Sequence, residues 1–148
     1  MVSRLWLTLW IILALLGPLA AQEEQKAPYG VWMPADEASK VEIFPCGEAM
    51  CGRISWLLVE HDEDGNILTD IYNPNPALRS TPVLGLVIMS DILPTEEDGV
   101  WKGRVYNPQD GRSYDFWLTV KSESQIIIQG CGFYNLICQK HTWARVDS

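Results

Sequence analysis

Val100-Trp101-Lys102-Gly103-Arg104-Val105-Tyr106, Asn107-Pro108-Gln109-Asp110-Gly111-Arg112 and Ser113-Tyr114-Asp115-Phe116-Trp117-Leu118-Thr119-Val120 form the stretch on which the fold is decided. The last segment places Tyr114, Phe116, Leu118 and Val120 on one face of an extended chain, with Asp115, Thr119 and Lys121 on the other. Between the two β-rich segments, Asp110-Gly111 supplies a glycine that can adopt positive φ in a tight turn. The pattern predicts an antiparallel hairpin with one buried and one solvated face.

The same grammar extends along the chain. Further strands are expected near 29–33, 40–44, 51–59, 66–72, 83–89, 125–131 and 140–146, with Asp64-Gly65 and Asp98-Gly99 as additional turn signals. Ile54, Trp56 and Leu58 are expected to share an inward face, opposite Arg53 and Ser55. Asn73-Pro74-Asn75-Pro76-Ala77-Leu78-Arg79 lacks backbone donors at both prolines and is read as an ordered loop, with room for one helical turn at Pro76 to Arg79. No long segment keeps a 3.6-residue period. The fold expected is all-β: a small antiparallel barrel of about eight strands, with a two-sheet sandwich as the alternative.

The 148 residues suit a single core. Residues 1–21 read as a secretory signal peptide: Arg4, an apolar run from Leu5 to Leu16, Gly17-Pro18, then Ala20-Ala21 at the cleavage point. Residues 22–148 form the expected single domain, periplasmic or secreted, and not transmembrane once the signal is cleaved. With 11 basic against 19 acidic residues the net charge is -8, which disfavours nucleic acid as a partner.

Cys46, Cys51, Cys131 and Cys138 in an exported domain read as two disulfides. Three connectivities exist for four cysteines; Cys46 to Cys51 and Cys131 to Cys138 are the simplest, each spanning the turn of a hairpin. The spacings are loose for a zinc site and neither pair is C-x-x-C, so neither a metal nor a redox role is assigned.

Gly30-Val31-Trp32 in the first strand and Trp143-Ala144-Arg145 in the last resemble the lipocalin-like, or calycin, arrangement, in which the indole of a Gly-x-Trp packs against a basic residue of the last strand. The resemblance implies that Trp32 and Arg145 close one end of the barrel. A longer resemblance runs through Lys40-Val41-Glu42-Ile43, Cys46-Gly47, Met50-Cys51-Gly52-Arg53-Ile54, Trp56 and Asp70. It continues through the Asn73 to Arg79 loop, Pro82 to Leu86, Trp101 to Pro108, Asp110 to Tyr114 and Thr142 to Val146. Over nearly all of residues 22–148 the chain is similar to the bacterial exported family called domain of unknown function 2147. Asn75 stands where that family usually has Asp. The resemblance implies a fold and an envelope location, and carries no catalytic residues.

Catalysis has little to stand on. His61 lies in an acidic turn, His141 shares strand parity with Trp143 and Arg145, and there is no G-x-S-x-G elbow, so no enzymatic role and no cofactor are assigned. Glu60-His61-Asp62-Glu63-Asp64-Gly65-Asn66 only partly matches a calcium loop, because Ile71 occupies the place of the bidentate Glu. The ligand-facing set expected is Trp56, Trp101, Tyr114, Phe116, His141 and Trp143, lining a barrel that takes a small apolar or amphipathic envelope molecule. The alternative is a packed barrel docking an envelope protein or cell-wall partner through loops. Asn73 and Arg79 in the proline-bounded loop, and Arg104 beside Tyr106, are the candidate recognition residues. Reduction of both disulfides is expected to lower the melting temperature without removing an electron-transfer activity, measured by thermal melts with and without reductant and by thiol titration of the native protein.

Overall fold

The computed structural model describes residues 26–132 and 137–146; the signal segment and its cleavage point lie outside them. Eight strands form a closed antiparallel barrel in sequence order: β1 (Gly30–Pro34), β2 (Ser39–Cys46), β3 (Ala49–Leu57), β4 (Val87–Pro94), β5 (Val100–Asn107), β6 (Arg112–Ser122), β7 (Gln125–Gly132) and β8 (Ile137–Val146). Closure by β1 against β8, with Trp32 opposite Arg145, excludes the two-sheet sandwich. The β5–β6 hairpin pairs as its alternation requires, Trp101 opposite Leu118 and Gly103 opposite Phe116.

Two expected strands are corrected. Residues 66–72 contribute only isolated bridges, His61 to Ile67 and Thr69 to Pro82, and β4 begins at Val87 rather than at 83. Pro74, Pro76 and Pro82 interrupt any ladder there, and Asp70 is a fully buried carboxylate that needs donors a strand partner would not supply. Residues 58–86 are therefore one long β3–β4 loop, carrying a 3-10 turn at Pro76–Leu78 whose Ala77 amide donates to the Asn75 side chain.

The connections define the two ends. The base gathers the start of β1, the end of β8 and the turns at 47–48, 95–99 and 123–124. The mouth gathers the turns at 35–38 and 108–111 and the long loop. Both disulfides are local, Cys46 with Cys51 near the base and Cys131 with Cys138 on the β7–β8 hairpin toward the mouth.

Trp32, Val41, Ile43, Met50, Met89, Ile92, Trp101, Phe116, Leu118 and Ile126 fill the barrel, each large side chain contributing roughly 1.5–3 kcal/mol on burial. Glycines make that filling fit. A Cβ on Gly103 would stand 2.9 Å from the Phe116 ring and 3.0 Å from Ile92, and one on Gly52 would stand 2.8 Å from the Met89 sulfur.

Alternation fails once with consequence. Val41 pairs with Ile54 but Lys40 pairs with Trp56, so Ser55 is the extra residue of a β-bulge and Trp56 faces outward with Lys40. Lys40 Nζ lies 5.7 Å from the Trp56 ring centroid, and Leu58 is 65% exposed. The expected shared inward face of Ile54, Trp56 and Leu58 is thus restricted to Ile54.

Gly130 also faces inward, opposite Phe116, but a Cβ there would meet nothing within 4 Å among the described residues. Two glycine-to-alanine changes should therefore differ in sign: Gly103→Ala lowers unfolding stability by about 1–3 kcal/mol through overpacking, whereas Gly130→Ala is neutral or slightly stabilising. Urea unfolding of both variants checks this.

Candidate functional site at the barrel ends

At the base, Arg145 is held by backbone. Its Nε donates to Glu123 O and its Nη1 to Tyr29 O at 2.6 Å, which sets the guanidinium 4.2 Å from the Trp32 ring centroid. Trp32 is buried and donates through Nε1 to Pro28 O at 2.9 Å, so segment 26–29 is tied across the end of the barrel. Gly30 is required beneath it, because a Cβ there would fall 2.3 Å from Arg145 Nη1. A cleft of about 630 Å3 lies here among Ala27, Tyr29, Trp32, Val120 and Arg145. The exposed Lys26 and Glu123 form an ion pair at its edge at 2.9 Å, and this lowers the Glu123 pKa below its ordinary value.

The six residues expected to face a ligand separate into three groups. Trp101 and Phe116 are packed into the core, at 4% and 0% exposure, and Trp143 packs against it partly buried. Trp56 points away, for the bulge reason above. Tyr114 and His141 stand on inward rows toward the mouth, Tyr114 opposite Val105 and His141 opposite the buried Ile128. His141 is nevertheless exposed, so solvent reaches the inner face of β8 at this level. The Tyr114 hydroxyl donates to Asp110 at 2.5 Å; this bond raises its pKa, because ionisation would break it beside a carboxylate. Phe116 is buried, whereas beyond it on the inward rows Tyr114 and Gly130 are partly exposed and His141 is exposed.

Outside this end, the long loop is anchored on Asp70. Its Oδ1 accepts from the Tyr106 hydroxyl at 2.6 Å and its Oδ2 from Asn73 Nδ2 at 2.7 Å. Burial, then the bond to Asp70, pushes the Tyr106 pKa up to about 12. Next to this anchor Tyr72 lies on the β5–β6 turn so closely that a Cβ on Gly111 would come within 2.0 Å of Tyr72 O. Asn73 and Arg79, expected as recognition residues, are engaged by the loop itself: Asn73 Oδ1 accepts from the Asn75 amide, and Arg79 Nε donates to Asn73 O at 2.8 Å. In the acidic tip, Asp62 accepts from the amides of Asn66 and Asp64 and from the Asn66 side chain, which holds its pKa below the ordinary 3.8. The loop exposes Leu58, Val59, Ile67, Ile71, Tyr72, Leu78 and Leu84.

Asp70 and Tyr106 are the paired residues that reading for motifs overlooks. A signal existed: Asp70 is a lone acid within Ile67-Leu68-Thr69-Asp70-Ile71-Tyr72, three residues before a side-chain donor. Trp117 carries no such signal, because it is an aromatic residue on the outward, otherwise polar face of β6.

The chain is a closed eight-stranded antiparallel barrel, opened by a Gly-x-Trp and closed by an arginine on that tryptophan, and its fold is lipocalin-like. The profile of a family of uncharacterized proteins conserved in bacteria, domain of unknown function 2147, matches residues 30–145, and the chain belongs to that family. Its barrel is similar to the solved structure of protein HP1028 from the human pathogen Helicobacter pylori, described as belonging to the lipocalin family. The TM-score is 0.69 at 22% identity, over 82% of this chain and 84% of that one, a likeness of fold. No curated protein matches the sequence.

Asp70→Ala should cost about 2–3 kcal/mol, because two hydrogen bonds are lost and their donors, Tyr106 and Asn73, are stranded. Because the folded Tyr106 pKa of about 12 lies above the ordinary 10.0, the associated stability is complete below pH 10 and is lost as pH rises toward 12. An ultraviolet titration of tyrosinate should show a step near pH 12 that disappears in Tyr106→Phe, whereas the raised step of Tyr114 is kept.

Proposed function

We propose that this is an exported, periplasmic or secreted, lipocalin-like barrel that binds a small apolar or amphipathic envelope molecule without catalysis. The observation that carries the reading is the contrast along the barrel axis, where glycines are crowded by core side chains at Gly52 and Gly103 but a Cβ on Gly130 would meet none of the described residues within 4 Å. The candidate pocket is therefore the mouth half, with Tyr114, His141 and the partly buried Val105 around it, above a floor made by Phe116. An apolar floor beneath a hydroxyl and an imidazole suits a molecule with one apolar and one polar end.

Export is supported by the two disulfides, which persist in oxidising compartments, and by the amino-terminal segment read above. No helix among the described residues is long and apolar enough to cross a membrane. The non-catalytic reading is supported by the structural use of the buried carboxylate: both oxygens of Asp70 are taken up in anchoring the long loop, by the Tyr106 hydroxyl and the Asn73 amide.

A second reading is favoured by a separate observation. The seven exposed apolar side chains of residues 58–86 are concentrated on one anchored loop, which suits docking to an envelope protein.

Native mass spectrometry of the mature protein from its own host's envelope, beside a denatured aliquot, distinguishes the two. Extra mass that disappears on denaturation, and that is lost when Gly130→Leu fills the mouth while the melting temperature is kept, is the expected result. A bare, fully bridged mass in both aliquots would overturn the carrier reading and leave the loop surface.

A further inference from the structure

The outer face of β5–β8 carries a tryptophan that the core does not use. Directly opposed residues share a face, so the register places Lys102, Trp117, Gln129 and Lys140 in one outward row crossing four strands. On either side of Trp117 along β6, the outward neighbours are Asp115 and Thr119, both polar. An indole in that setting is half-buried yet absent from the hydrophobic core.

Around it lies a groove of about 490 Å3, within the roughly 300–1,000 Å3 typical of small-ligand sites. Trp117, Thr119 and Gln129 line it, with Glu97 of the β4–β5 turn toward one end and the Cys131–Cys138 bridge toward the other. The bridge joins β7 to β8 and makes that wall covalent. Lys102 Nζ stands 5.2 Å from the Trp117 ring centroid and pairs with Asp115 at 3.5 Å, so the indole is braced from the β5 side. Gln129 Nε2 has only a weak contact with Cys131 Sγ at 3.9 Å, and the Thr119 hydroxyl makes no hydrogen bond among the described residues. Both groups are open to exchange with a ligand hydroxyl.

The combination selects a chemistry. A pyranose ring presents a face of polarised C–H bonds, which is attracted to the negative face of an indole, and a rim of hydroxyls radiating in its own plane. It needs an aromatic surface bordered by an amide, a hydroxyl or a carboxylate. A wholly apolar ligand would desolvate Gln129, Thr119 and Glu97 without return. A nucleotide would meet Glu97 and a chain of net charge -8. We propose that this groove is a carbohydrate subsite, in which Trp117 stacks on one pyranose ring of a glycan chain while Gln129 and Thr119 bond its hydroxyls. It lies on the outer wall and is independent of any cargo held at the mouth.

The test uses the mature, fully bridged protein, labelled with nitrogen-15. An N-acetylglucosamine oligomer and cellohexaose are titrated in separately while the indole Nε1–H resonance of Trp117 and the Gln129 side-chain amide are followed. Saturable shifts at both groups are expected, and Trp117→Ala should weaken binding about tenfold or more, a loss of one stacked ring. Trp117→Phe should retain part of the affinity. Response to the N-acetylated oligomer alone assigns the subsite to amino-sugar chains of the cell-wall type, and response to cellohexaose alone assigns it to plain glucans. Should Trp117→Ala fail to fold, Gln129→Ala provides the same comparison. No shift at Trp117 with either sugar, or unchanged affinity in a folded Trp117→Ala or Gln129→Ala protein, overturns the proposal.

Discussion

Pairing of β1 with β8 converts a row of hairpins into a barrel, and Arg145 is the residue on which that seam turns. Its guanidinium is held by two backbone carbonyls from opposite sides of the closure, Glu123 O after β6 and Tyr29 O before β1, and lies over the indole of Trp32. Five donors in a rigid planar fork make this geometry available to arginine and not to lysine. The seam has a local requirement of its own, since Gly30 must lack a side chain for the guanidinium to lie where it does. Without closure, β1 and β8 would present unpaired edges, and the core on Trp32 would open to water.

The barrel divides along its axis because its side chains do. Toward the base, Trp32, Met50, Met89, Ile92, Trp101 and Phe116 meet at the axis, and glycines at positions 52 and 103 give the bulky groups their space. Toward the mouth, Gly130 has no such partner among the described residues and His141 on an inward row reaches solvent. The same residue type therefore has different meanings at Gly103, where it accommodates a neighbour, and at Gly130, where a side chain would meet no described residue. The long loop is a third region, fixed to the β5–β6 hairpin by a buried carboxylate. Asp70 takes hydrogen bonds to both oxygens, which offsets the cost of removing it from water and orders the segment that displays the exposed apolar side chains.

Much of this was legible from residues 100–120. Alternation in β6 and the Asp-Gly turn imply a hairpin with Phe116 and Leu118 inside, and the structure has both buried in the core. The pattern was weaker wherever a strand departs from strict period two. Ser55 adds one residue to β3 and reverses Trp56, an event that alternation cannot signal because a bulge is a matter of pairing. In the same way, Leu68-Thr69-Asp70-Ile71 has strand composition but serves a buried acid whose partner, Tyr106, is 36 residues away. His141 and Tyr114 were correctly grouped by parity with inward residues, but parity says nothing of depth.

The sequence by itself determined the class of the fold, the Asp-Gly turns and the inward face of β6, because these follow from local periodicity and from residue chemistry. Tertiary structure alone decided which glycines are filled and which are open, and which cysteines meet. It also decided that Arg79 serves its own loop and that Trp117 sits in an outward groove beside a disulfide. Each of those depends on what another strand places within a few ångströms, and strand register is set by the whole barrel at once rather than by any one segment of it.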